Sequence, residues 1–185
     1  MKKNKTIYVP MGADIIHSGH LNIINNAKKY GKIIIGLFTD SAIAEYKSLP
    51  LINYEQRFEI IKNIKGIDKI VKQDTWDYSK NLNKIKPDFL IHGDDWKTGI
   101  QKKTRAKIIK TLKKWHGRLI EIPYTSEPSI SKNQEKIKNI FFTADSRVSR
   151  LRRLIESKKI VRFIECHSPL TGLMVENLRI NYKNN

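Results

Sequence analysis

Two histidines three residues apart, His17 and His20, stand in the stretch GADIIHSGHLNII directly after the apolar run TIYVP. Histidine gains less than leucine in a core and does little on an open surface, so a pair at the junction of a strand and a helix points to chemistry. Ser18 and Gly19 separate them. A helix beginning near Ser18 turns its first backbone N–H groups and its positive end toward any anion there, and Gly19 permits a close approach. Two imidazoles beside that end suit the stabilisation of a phosphate whose oxygens gain negative charge as a nucleophile arrives. Zinc is the sharper alternative, but HxxH brings no third ligand at a recognisable spacing. A purely structural pair would leave the glycine and the strand-end position unused.

The elements that must position this pair follow from the hydrophobic pattern. TIYVP reads as a strand, and HLNIINNAKKYG as a helix with Leu21, Ile23, Ile24 and Ala27 inward and Gly31 closing it. KIIIGLF reads as a strand buried on both faces. NYEQRFEIIKNIKG predicts a helix capped by Asn53 with Gln56 three residues on, burying Phe58, Ile60, Ile61 and Ile64. The short strand DKIVKQ, then a short helix over Lys80 to Lys86, the strand DFLIHGDDW running into a polar turn, the helix TRAKIIKTLKKWHG and the strand RLIEIP complete the series. Strand–helix alternation predicts an α/β fold, a Rossmann-like parallel sheet with helices on both faces. In such sheets ligands bind outside the carboxyl ends of the strands. There the polar residues gather: His17 and His20, then Asp94 to Trp96, then Tyr124 to Ser131. Asp94 and Asp95 are adjacent carboxylates, which repel unless a cation, ribose or base engages them.

Composition excludes several classes. No run approaches the ~18 apolar residues of a membrane-crossing helix, and MKKNKTIYVP lacks the long apolar core of a secretory signal. The single cysteine, Cys166, rules out an internal disulfide framework and fits a reducing, cytoplasmic setting. The net charge of +18 would attract nucleic acid. However, the lysines are dispersed, and RVSRLRRLIESKK carries Val148, Leu151, Leu154 and Ile155 at helical spacing, as a solvated helix face would. Nucleic acid is therefore not the expected partner.

GADIIHSGH after a strand resembles the HxGH signature of the cytidylyltransferase family of nucleotidyltransferases. GDDW at Gly93 to Trp96 resembles a second motif, that of the glycerol-3-phosphate cytidylyltransferases, and YEQR at Tyr54 to Arg57 falls between the two. The resemblance implies transfer of a nucleotidyl group from a triphosphate to a phosphate- or phosphonate-bearing acceptor, with magnesium and release of pyrophosphate. It implies that His17, His20 and Lys47 act on the phosphates. Gly12, Asp14, Gly19, Asp94, Asp95, Trp96, Thr125, Ser129 and Ser131 would hold the nucleotide, and Arg57 the acceptor. Asp14 would also be the candidate metal ligand, and Trp96 a wall for the base. Members of this family commonly pair as dimers. The final family motif, approximately RTEGISTT, is YTSEPSIS here, with Tyr124 at the arginine position and Glu127 at the glycine.

From Asn139 the pattern changes to a helix–strand–helix extension. RLRRLIESKKIVRFIECHSPLTGLMVENL resembles the opening of a phosphoenolpyruvate mutase, a (β/α)₈ barrel. Such a barrel takes about 250 residues, so the expected organisation is a nucleotidyltransferase domain over 1–138 and the truncated start of a mutase over 139–185, without mutase activity. This pairing resembles the bifunctional enzymes of phosphonate biosynthesis. It implies CTP as donor and a small phosphonate, such as 2-hydroxyethylphosphonate or 2-aminoethylphosphonate, as acceptor. The alternatives are the same chemistry on glycerol 3-phosphate, the use of ATP, and a non-catalytic nucleotide-binding module.

Overall fold

Five apolar runs become five parallel strands: β1 (Thr6–Met11), β2 (Lys32–Phe38), β3 (Lys69–Gln73), β4 (Phe89–Gly93) and β5 (Arg118–Ile122). The computed structural model describes residues 5–46, 48–97, 101–123, 144–158, 160, 161 and 163–177. The strand order is β3-β2-β1-β4-β5. β1 pairs along its whole length with β2, from Thr6↔Lys32 to Met11↔Leu37, and on its other side with β4 through Ile7↔Phe89 and Tyr8↔Leu90. The winding reverses between β1 and β4, which opens a crevice at their carboxyl ends.

Helices α1 (Ser18–Ala27), α2 (Asp40–Tyr46), α3 (Tyr54–Lys62), α4 (Ser79–Ile85) and α5 (Lys102–Leu112) cover the sheet. Alternation along the strands builds two cores. Ile7, Val9, Ile33, Ile35 and Leu37 pack with Ile24 and Ala27 of α1 and Ile61 of α3. Tyr8, Phe38 and Leu90 point the other way, onto Ala42 and Ile43 of α2, Leu82 of α4, and Ile108 and Leu112 of α5. Tyr8 places a polar tip in the second core. Its hydroxyl donates to Gln73 Oε1 (2.5 Å) and accepts from Asn81 Nδ2 (3.1 Å), and burial pushes its phenol well above the ordinary range. Gly36 lies beneath it, where any Cβ would collide with the hydroxyl.

Asn53 and Gln56 form the expected capping box at the start of α3. The inward faces differ in two places. Ile60 and Leu21 are 43% and 41% exposed, because α3 turns Arg57 and Ile61 toward the sheet and α1 turns Ile24 and Ala27. Helix α1 stops at Ala27, and a turn carries the chain to Gly31 at φ 150°, against the Lys5 carbonyl. The segment DSAIAEY, unassigned in the sequence, forms α2.

Beyond the sheet lie α6 (Ala144–Ser157) and α7 (Pro169–Asn177). The strand expected in IVRFIE is not formed by its described residues: Ile160, Phe163 and Ile164 are 74%, 71% and 55% exposed in irregular backbone. A strand requires a ladder partner, and none of the described residues offers one. The boundary expected after residue 138 lies outside the described residues. No helix among those described is long and apolar enough to cross a membrane.

Candidate active site

β1 delivers the chain at Met11 into a turn in which Ala13 adopts a left-handed φ of 53°, a conformation a residue with a Cβ holds only when its surroundings enforce it. Part of that enforcement is the next side chain. Asp14 Oδ1 accepts the backbone N–H groups of Leu51 (2.6 Å) and Ile52 (3.3 Å), tying the turn to the segment between α2 and α3. The chain then reaches His17, the N-cap of α1, whose Nδ1 accepts the Gly19 N–H at 3.1 Å. An Nδ1 that accepts leaves the proton on Nε2 of the neutral ring, so the cap sets the tautomer and makes Nε2 a donor. His20 lies beside it, its ring tilted by 54° with the centroids 4.1 Å apart. The pair, with Gly12, Asp14 and Gly19, borders a cavity of about 330 Å³ at the carboxyl ends of β1 and β4.

The far side of the cavity is formed by His92 and Gly93 of β4, and by Phe38, Trp76 and Tyr78. The sequence singled out none of His92, Trp76 and Tyr78. A histidine at the end of a strand beside the switch point was the signal available for the first. Trp96, expected as a wall for the base, is instead 1% exposed, and its ring lies flat behind His92 at 3.8 Å with an interplanar angle of 4°. The 3-10 turn Asp94–Lys97 folds the indole under the strand end, where its Nε1 donates to Glu121 Oε1 at 2.7 Å. His92 is the ring that faces the cavity. Asp94 pairs with Lys97 at 3.6 Å, and Asp95 lies in the same turn.

Glu121 anchors this wall. Arg105 grips it with Nε (2.8 Å) and Nη2 (2.9 Å), and that fork, with the indole and Lys97, holds its carboxyl down to about 2. A folded-state value below the unfolded one means that the unfolded chain takes up the proton first as the pH falls. The stabilisation is thus complete above the ordinary carboxylate range and is lost as the pH drops toward about 2. Glu121→Gln should therefore flatten the acid limb of the stability profile, measured by urea unfolding from neutral pH to about pH 3. An acid limb as steep as that of the parent would show Glu121 unpaired in the fold.

Arg57, expected to hold an acceptor, is instead fully buried within the framework. Its Nη1 donates to the carbonyls of Gly12 (2.6 Å) and Phe38 (2.7 Å), its Nε to that of Ile52 (3.3 Å), and its Nη2 to Asp40 Oδ1 (2.6 Å). A guanidinium taken from water must find such partners. Arg57 fastens the ends of β1 and β2 together with four of its five N–H groups, and its burial keeps the side chain away from a ligand in the cavity. Lys47, Thr125, Ser129 and Ser131 lie outside the described residues, while Ser48 borders the cavity. Among the described residues no three His, Cys, Asp or Glu side chains converge, and Asp14 spends Oδ1 on backbone amides. These residues do not make a magnesium cage of their own.

Residues 13–131 match the family described as Cytidylyltransferase-like. An ethanolamine-phosphate cytidylyltransferase of Dictyostelium discoideum is 30% identical over 111 residues, 59% of this chain and 31% of that protein. An FAD synthase of Methanobrevibacter smithii is 34% identical over 98 residues, 50% of this chain and 64% of its own length. An FAD synthase of Archaeoglobus profundus is 28% identical over 147 residues, 78% of this chain and 92% of its length. The chain thus spans less than two thirds of the first two relatives and most of the third. Among solved structures, a lipopolysaccharide core biosynthesis protein from Thermoplasma volcanium superposes with a TM-score of 0.58 at 20% identity, covering 67% of this chain and all of that one. A pantoate-beta-alanine ligase from Francisella tularensis does so at 0.52 and 17% identity, covering 86% and 74%. These two likenesses establish the Rossmann-like fold.

Proposed function

Because this chain belongs to the cytidylyltransferase-like family, we propose that it transfers CMP from CTP to a small phosphonate and releases pyrophosphate. The observation that carries the reading is the histidine pair, His17 and His20, set at the N-terminus of α1 on the rim of the switch-point cavity. An acceptor oxygen attacks the α-phosphorus. The new O–P bond forms as the bond to the bridging oxygen breaks, and that electron pair leaves with pyrophosphate. Charge grows on the α-phosphate and leaving-group oxygens, where the His17 Nε2–H, the His20 ring and the first N–H groups of α1 stabilise it. No covalent enzyme intermediate is required.

Lys47, Thr125, Ser129 and Ser131 are the proposed further phosphate contacts, and Asp94 and Asp95 the proposed contacts to ribose or base. Magnesium is proposed to arrive with the triphosphate as its counter-ion, neutralising phosphate charge, since magnesium commonly takes few protein ligands beside its phosphates and waters. The phosphonate acceptor is supported by the resemblance of the C-terminal segment to a phosphoenolpyruvate mutase. A second reading, ATP as donor, is supported by the long alignment with an FAD synthase, whose product contains adenine.

Pyrophosphate release, measured with CTP and with ATP against a panel of phosphonates and phosphate monoesters, tests the proposal. CTP-dependent release with a phosphonate supports it. Release only with ATP, or only with phosphate monoesters, moves the chain to the other reading. Binding of CTP without release on any acceptor overturns the catalytic assignment.

A further inference from the structure

Arg153 of α6 lies well beyond the residues that match the family, yet it reaches back to the segment between α2 and α3. Its Nη1 donates to the Leu51 carbonyl (3.2 Å), and its Nη2 to the Pro50 carbonyl (3.2 Å) and Asp40 Oδ2 (2.8 Å). The same short segment is held from the opposite side, where the N–H groups of Leu51 and Ile52 donate to Asp14 in the histidine turn. The segment is held a third time by Arg57, which donates to the Ile52 carbonyl. Asp40 bridges the two arginines, giving Oδ1 to the buried Arg57 and Oδ2 to the partly exposed Arg153. Residues 50–52 are therefore clamped between the turn that carries His17 and a helix from the C-terminal extension, and Ser48, two residues upstream, lines the cavity.

We infer that Arg153 is a positioning residue for triphosphate binding, through which the C-terminal extension orders the loop between α2 and α3 at the edge of the active site. The inference rests on the nucleotidyltransferase reading of that cavity. The division between the two arginines supports it. Arg57 is fully buried, so its loss strands polar groups in the core. Arg153 is 22% exposed, so water replaces its contacts when it is removed. The fold then survives while the loop loses its outer clamp. A loop that is competent only part of the time lowers apparent affinity in proportion to the competent fraction. It leaves the chemistry of the bound state unchanged once the ligand has closed it.

Arg153→Ala should raise the KM for the triphosphate about tenfold, with kcat changed less than about threefold. Arg153→Lys keeps the charge but loses the planar fork that reaches two carbonyls and a carboxylate, so it should recover only part of the affinity. Arg152→Ala, on the exposed side of α6, should match the parent. Backbone hydrogen exchange of the peptide covering residues 48–52 gives a reading that needs no turnover. It should quicken about tenfold in Arg153→Ala while the β1 and β2 peptides stay protected. If the parent binds no triphosphate, the functional reading fails and the exchange result alone decides whether the clamp exists. Unchanged exchange in folded Arg153→Ala, or a KM within twofold of the parent, overturns the inference. A fall in melting temperature with neither change would show that Arg153 only docks the helix.

Discussion

His20→Ala is expected to lower kcat/KM by about 10²–10³ while leaving the fold intact, the loss typical of removing one preorganised group that stabilises transition-state charge. His17 requires a more careful substitution, because its Nδ1 also caps α1. Alanine there would remove the cap, at about 1 kcal/mol, together with the imidazole. Asparagine is a strong N-cap and cannot reproduce the Nε2 donor, so His17→Asn should keep the melting temperature and still lose about 10²-fold in turnover. Steady-state kinetics beside thermal unfolding separates the two roles. Near-normal rates in both His20→Ala and His17→Asn would remove the pair from the chemistry.

Arg57→Met carries the largest expected effect on stability. Methionine fills much of the same volume but leaves Asp40 Oδ1 and the carbonyls of Gly12, Phe38 and Ile52 without their donor. Breaking a buried pair from one side typically costs about 3–5 kcal/mol. A loss of that size should appear as a lower urea midpoint with little change in slope. Activity should fall in parallel with the folded fraction, because the buried Arg57 directs its recorded hydrogen bonds to the framework. Loss of acceptor affinity in an otherwise stable Arg57→Met protein would restore it to the binding site and contradict the geometry.

Arg57 also shows where the sequence stops being legible. As one charge on an amphipathic helix it reads as solvent-exposed, since nothing in YEQRFEII reveals that four acceptors from three other segments converge on it. That convergence exists only once β1, β2 and α2 are assembled. Trp96 fails to read for the same reason: GDDW gives the composition of the turn, but the partner that draws the indole inward is Glu121, on a different strand. The readable features were local or periodic. The apolar runs fixed all five strands, the Asn53–Gln56 spacing announced its capping box, and HSGH marked a helix start whose first residue is itself the cap. Helix α2, seven residues long, is too short for a periodic pattern, although Thr39 caps it by accepting the Ala42 N–H at 3.3 Å. IVRFIE shows the opposite error, a good local strand pattern that joins no ladder among the described residues.

The two readings of the cavity, catalytic and merely nucleotide-binding, share the fold, the histidine pair and the affinity for a triphosphate. They differ in whether an O–P bond forms at the α-phosphorus. Phosphorus NMR of the protein with CTP, magnesium and 2-hydroxyethylphosphonate observes that bond directly. The account predicts a new phosphonate resonance coupled to a new nucleotide phosphate resonance, with pyrophosphate appearing in equal amount. A spectrum in which CTP binds and stays whole, or loses only its terminal phosphate while the phosphonate signal is unchanged, would contradict it.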